Sequence, residues 1–172
     1  MDKPARKSNA RQPSVLFCQC VHGEFNSDKQ CEEWTAMARD SGRDVALVDD
    51  LCGLVAEKSP VLRQWAGEEN LTIMACYPRA VTEMFSAAGV SLEVNERTFL
   101  NTRNGDAKKI EETLTPSVTE NRGDILRYGK AGDWIPWFPV IDYERCSGCR
   151  QCANFCLFGV YEIDDQGKVV VA

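Results

Sequence analysis

Leu71-Thr72-Ile73-Met74-Ala75-Cys76-Tyr77-Pro78-Arg79 opens a stretch that runs on to Gly89, and its reading decides the fold. The first five residues are an uninterrupted apolar run closed by a turn, the pattern of a strand buried on both faces. Beyond Pro78 the period changes. Val81, Met84, Phe85 and Ala88 recur at i, i+3, i+4 and i+7, so an amphipathic helix follows, and Gly89 stops it. A buried strand feeding such a helix is the repeating unit of an α/β layered domain.

The unit recurs on both sides. Val15-Leu16-Phe17 and Val45-Ala46-Leu47-Val48 read as two more buried parallel strands, and residues 90–94 as a further strand without that uninterrupted apolar run. Between the first two, Cys31, Trp34, Thr35 and Ala38 form the apolar stripe of a helix over 28–40 that ends at Ser41-Gly42. Ser59-Pro60 starts another helix, with Val61, Leu62 and Trp65 on its buried face. The expected architecture over residues 14–114 is an open parallel sheet flanked by helices and joined by right-handed crossovers. Residues 1–13 read as a disordered basic tail. Thr115-Pro116, Asn121-Arg122-Gly123, Tyr128-Gly129 and Ala131-Gly132 mark 115–137 as a linker, with the aromatic run 134–139 expected to wrap one domain onto the other. Residues 138–172 then form a small α+β module: a cysteine-rich turn, a short helix, and a hairpin around Asp165-Gln166-Gly167.

Composition narrows the class. The chain has 172 residues, 26 acidic against 20 basic, 44% apolar and nine cysteines. Cysteine at about 5% is below the level of disulfide scaffolds, and an odd count fits a full disulfide framework poorly. The first 14 residues lack the apolar core of a secretion signal, and no run of 18 apolar residues occurs, so a cytoplasmic protein without a membrane span is expected. In that reducing setting clustered thiols serve as ligands or catalysts. Lys3, Arg6, Lys7 and Arg11 stand against Asp2 at the start, so the rest is more acidic than the overall −6. Such a body repels nucleic acid and suits a basic protein partner. One histidine leaves no catalytic triad to assemble.

Cys146-Ser-Gly-Cys149-Arg-Gln-Cys152-Ala-Asn-Phe-Cys156 is C-x2-C-x2-C-x3-C. Two-residue spacers let three thiolates reach three irons of one cubane, and the fourth cysteine follows a helical turn later. A zinc ribbon needs two separated C-x2-C pairs, and a thioredoxin-type C-x2-C needs no further cysteines, so the spacing selects a 4Fe-4S cluster. Ser147 and Gly148 let the loop curl and free backbone N–H groups to bond sulfur.

Residues 138–171 resemble bacterial-type ferredoxins, with Val140-Ile141-Asp142 before the first cysteine and Phe158-Gly159-Val160-Tyr161 after the fourth. Leu157 replaces the usual proline. In two-cluster ferredoxins the fourth cysteine of each half ligates the other half's cluster, and no second half follows before Ala172. Three readings compete: a piece of a longer protein, a Cys156 that bends back to complete the site, and a three-iron or externally ligated cluster. The terminal strand favours the first.

Four other cysteines share one edge. Cys18 and Cys20 follow the first strand, Cys52 the second and Cys76 the third, and the carboxyl ends of parallel strands are where ligands bind. They are candidates for a second cluster or a zinc ion, against the plain alternative of packed thiols. Phe17-Cys18-Gln19-Cys20, Leu51-Cys52, Ala75-Cys76-Tyr77-Pro78-Arg79, Phe85, Ala88-Gly89 and Asn101-Thr102-Arg103 are similar to the amino-terminal domain of the heterodisulfide reductase A subunit. That resemblance implies an iron–sulfur cluster in this domain and a flavin oxidoreductase or heterodisulfide-reductase-like complex as redox partner. No G-x-G-x-x-G is present, so a flavin fingerprint does not carry over. Cys31 is read as core, and His22 as a loop histidine bonded to backbone. Residues 123–130 look like a phosphate loop but have the wrong spacing. Arg79 and Arg103 are read as surface ion pairs or anion contacts.

The resulting expectation is an electron-transfer protein that passes single electrons to or from a partner oxidoreductase. A zinc-stabilised, non-redox interaction module is the alternative. A thiol-based redox enzyme using Cys18-x-Cys20 or Cys146-x2-Cys149 ranks last.

Overall fold

The structure is a computed structural model that describes residues 13–23, 25–92, 97–103, 107–115, 121–130, 139–156 and 160–171. Its three apolar runs are strands: β1 (Val15–Cys18), β2 (Val45–Val48) and β3 (Thr72–Ala75), each buried along its whole length. They are parallel, with Val15 beside both Val45 and Thr72. Two further parallel strands, β4 (Thr98–Asn101) and β5 (Ile125–Tyr128), close the sheet in the order β4-β3-β1-β2-β5.

Helices cover both faces, and strand alternation sorts the core. On one side Val15, Phe17, Val45, Leu47 and Met74 meet α1 (Asp28–Asp40) and α5 (Ala107–Leu114), through Cys31, Trp34, Ala38, Ile110 and Leu114. Phe17 and Trp34 pack edge to face at 6.1 Å. On the other side Leu16, Ala46, Val48 and Ile73 meet α2 (Leu51–Ala56), α3 (Val61–Ala66) and α4 (Pro78–Ala87), through Leu54, Leu62, Trp65 and Phe85. Burial of this kind contributes about 1.5–3 kcal/mol for each large apolar side chain. Cys31 is 4% exposed, as its stripe predicts. Helix α1 begins at the Ser27 cap, whose side chain accepts the Gln30 N–H, and ends at Ser41 with Gly42 at φ +78°.

The edges differ from the sequence expectation. Residues 90–92 are not a strand, although Leu92 is buried in the core; residues 93 and 94 lie outside the described residues. The edge strand comes later, as β4, where Leu100 alone is buried. At the other edge β5 lies within the stretch read as a linker. Edge strands need burial on only part of their surface, so both lack the continuous apolar run that betrays a central strand. Gly123 makes β5 possible. Its N–H donates to the Arg39 carbonyl, and a Cβ there would stand 2.0 Å from the Arg43 carbonyl oxygen. The tail 1–12 and the aromatic run up to residue 138 lie outside the described residues.

After the sheet come α6 (Gln151–Phe155) and an antiparallel pair, β6 (Tyr161–Ile163) and β7 (Val169–Val171), with Ile163 beside Val169. Asp164 Oδ1 accepts the N–H groups of Gln166 and Lys168, and Gly167 turns at φ +78°. Among the described residues no helix is long and apolar enough to cross a membrane.

Candidate iron–sulfur sites

The ferredoxin-like motif is one curled loop followed by one helical turn. Asp142 starts it: its carbonyl accepts the N–H of Cys146 at 2.9 Å and of Arg145 at 3.2 Å, and its Oδ1 also accepts the Arg145 N–H. Gly148 and Arg150 both take left-handed φ, +69° and +59°, which reverses the chain twice before α6. Gly148 is natural there, having no Cβ to strain. Arg150 holds its costlier conformation with a guanidinium that donates to the Gly167 carbonyl at 3.1 Å, stapling the loop to the hairpin turn. Tyr143 adds a second staple: its hydroxyl donates to the Val169 carbonyl, and Lys168 lies 3.6 Å over its ring.

Cys146, Cys149 and Cys152 are exposed, and Cys156 is half-buried. Cys152 sits on α6 and Cys156 one turn later, so the two fall on one side of the helix. The Gln151 N–H and the Ser147 hydroxyl hold the Cys149 thiol below its ordinary value. The Val160 N–H donates to Cys156 Sγ at 3.5 Å. An all-thiol donor set on a curled loop, already receiving N–H···S bonds, fits a cluster held by cysteine thiolates.

The second set lies where the topology opens a crevice. The chain runs from β1 to β2, then back past β1 to β3, so connections diverge above the carboxyl ends of the central strands. Cys18 ends β1 and is buried; its Sγ accepts the Leu51 N–H at 3.4 Å, and burial pushes its thiol far up. Cys20 follows at φ +54° and is half-buried. Cys52 is in the first turn of α2, its Sγ 3.5 Å from Met84 Sδ. Its thiol is pushed up to about 12, first by burial, then by the Asp50 carboxylate and by Cys76 and Cys20. Cys76 follows β3, raised by burial and drawn back by Arg103 and by the Tyr77 N–H. Cys20, Cys52 and Cys76 thus feel one another electrostatically, which places them in one neighbourhood. Among the described residues no three His, Cys, Asp or Glu side chains stand close enough to hold a metal ion as they are. Ligation therefore requires the thiols of either set to close in.

Several neighbours were not visible in the sequence. Asp50 caps α2, accepting the N–H groups of Cys52 and Gly53. An aspartate directly before an apolar segment is a cap signal, and it marks α2 once that helix is suspected. Arg103 stacks 3.3 Å over the Phe25 ring and lies 5.9 Å from Tyr77, beside Cys20 and Cys76. Arg79 pairs with Asp142. His22 Nε2 is buried with no hydrogen-bond partner among the described residues, so that atom does not make the backbone bond expected of it. Residues 125–128 of the rejected phosphate loop form β5.

Residues 139–159 match the 4Fe-4S binding domain family. The chain is 52% identical over 44 residues to an uncharacterized ferredoxin of Methanocaldococcus jannaschii, covering 26% of this chain and 29% of that one. It is 28% identical over 78 residues to the ketoisovalerate oxidoreductase subunit VorD of Pyrococcus horikoshii, covering 42% of this chain and 74% of that one. The chain thus spans under a third of the first relative's length, and no solved structure matches it. Its carboxyl-terminal part is a ferredoxin-type 4Fe-4S domain, a domain of electron transfer.

Proposed function

We propose that this chain is the iron–sulfur electron-transfer component of an oxidoreductase complex, passing single electrons to or from a partner subunit. The observation that carries the reading is the curled Cys146–Cys156 loop inside the matched 4Fe-4S domain. Cys146, Cys149 and Cys152 hold the cluster from the loop, with Cys156 as the fourth thiolate of the motif. When bound, the cluster supplies a one-electron couple. The chain's own residues set its environment. Gln151, Ser147 and Val160 direct hydrogen bonds at thiol sulfurs, which favours the thiolate form. Exposure of Cys146, Cys149 and Cys152 leaves this end of the molecule open to a partner, and Phe155 beside them is 80% exposed.

Cys18, Cys20, Cys52 and Cys76 form a second iron–sulfur site at the sheet edge. Support comes from their electrostatic proximity, their place at the crevice and the likeness to the heterodisulfide reductase A subunit. The partner then provides the flavin or substrate site, since this chain has no dinucleotide fingerprint. Similarity to an oxidoreductase subunit supports such an assembly.

The test is an anaerobic redox titration of the full chain. A reversible one-electron bleaching of visible absorbance, with a paramagnetic signal in the reduced state, is expected. A colourless chain that carries zinc and shows no couple contradicts the proposal and supports the zinc-stabilised interaction module.

A further inference from the structure

Arg79 lies in the first turn of α4, where the helix dipole disfavours a cation and no acidic residue of that turn offsets it. Its partner comes from the other module: the guanidinium pairs with the Asp142 carboxylate, whose side chain is 22% exposed. Both residues are sited by the cysteines. Arg79 is three residues past Cys76, and Asp142 is the residue whose carbonyl receives the Cys146 N–H. A groove of about 640 Å³ is walled by Val55, Glu83 and Ala87 of the sheet domain and by Val140, Tyr143 and Val171 of the ferredoxin-type module, so the two parts face each other along more than this pair.

We propose that Arg79 and Asp142 are positioning residues that tie the cluster-binding loop to the α4 N-terminus, and so hold the two cysteine sets at one fixed separation. The tie concerns two centres and in that respect rests on the second site proposed above. Its chemistry is complete within the chain. One ion pair joins the segment just beyond Cys76 to the turn that presents Cys146, and the Asp142 carbonyl and Oδ1 pass that restraint to the amides of Cys146 and Arg145. Asp142 therefore does two jobs: it shapes the loop through its own turn, and it anchors the turn through Arg79.

The test separates the two jobs. Amide hydrogen exchange is followed over 142–146 in the full chain, for wild type, R79Q, R79K, D142N and R79Q/D142N. R79Q and D142N are expected to accelerate exchange at Cys146 by about tenfold or more, with the double variant no faster than either, because the two side chains act as one pair. R79K retains the charge and is expected to restore most of the protection. The second readout is electron paramagnetic resonance of the fully reduced chain. Magnetic interaction between two centres is expected in wild type and R79K and is expected to vanish or weaken in R79Q, at unchanged iron content. Unchanged exchange in R79Q overturns the tie, as does a magnetic interaction indifferent to the substitution. A wild-type chain that binds only one cluster instead removes the sheet-edge site, and the exchange data still decide whether Arg79 anchors the loop.

Discussion

Replacing Gly123 by alanine tests whether β5 is a true member of the sheet. The new Cβ would stand 2.0 Å from the Arg43 carbonyl oxygen, 2.3 Å from its carbon and 2.9 Å from the Asp44 nitrogen. All three are backbone atoms at the entrance to β2, so no rotamer change relieves the contact. The segment before β5 has to withdraw, and it takes with it the Gly123 N–H bond to the Arg39 carbonyl and the Val45 N–H bond to the Asp124 carbonyl. Each bond contributes about 1 kcal/mol net, and overpacking adds about 1–3 kcal/mol, so a loss of about 3–5 kcal/mol is expected. For a chain of this size that lowers Tm by roughly 6–20 °C. Urea unfolding followed by tryptophan fluorescence reports it directly, because Trp65 packs at 5.0 Å against Tyr128 at the end of β5. Gly89→Ala is the comparison: its φ is +75° but nothing lies within 4 Å, so only backbone strain of about 1–2 kcal/mol is incurred. A Gly123→Ala loss under about 0.5 kcal/mol, the size of an ordinary surface change, refutes the placement of β5.

Three other perturbations follow from the site. The Cys52 thiol rises from 9.0 in the unfolded chain to about 12 on folding, so between those values the unfolded chain has lost a proton that the folded one keeps. Metal-free protein should therefore hold its stability up to pH 9 and lose it above in urea melts at stepped pH, Cys52 adding at most about 1.4 kcal/mol per pH unit to a loss shared by the other raised thiols, Cys18, Cys20, Cys31 and Cys76; Cys52→Ala should lower the slope by that one share. Asp50→Asn keeps a capping side chain but removes the negative charge that raises Cys52, so Cys52 in the metal-free chain should alkylate faster at pH 8 with little change in Tm, whereas Asp50→Ala should also lose about 1 kcal/mol of stability. Arg150→Gly removes a left-handed non-glycine strain of about 1–2 kcal/mol but also the bond to Gly167, so a net stability change within about 1 kcal/mol is expected by thermal melt, against a clear loss for Arg150→Val, whose branched side chain resists positive φ.

What could be read from the residues follows burial. β1, β2 and β3 are buried on both faces, and their apolar runs announced them; Cys31 and Trp34 betrayed the α1 stripe in the same way. β4 and β5 lie at the edges, where residues such as Thr98 and Arg127 face solvent and no periodic signal survives. The hairpin was legible because Asp164 and Gly167 supply the turn chemistry locally. The same division holds for the sites. The Cys146–Cys156 spacing is local and legible. Neighbourhood among Cys20, Cys52 and Cys76 follows once strand order is known, because each cysteine closes or follows a central strand. Arg103 and Asp142 act across long sequence separations, through a ring stack and an ion pair, and no short pattern encodes such contacts.

The most direct test of the central claim is the iron and acid-labile sulfide content of the anaerobically reconstituted chain, compared with Cys149→Ser and Cys52→Ser variants. Iron and sulfide in equal amounts, about four of each per cluster, are expected. Cys149→Ser should lower the cluster of the ferredoxin-type loop, and Cys52→Ser the separate one at the sheet edge. Zinc without sulfide in the wild-type chain would contradict the account outright.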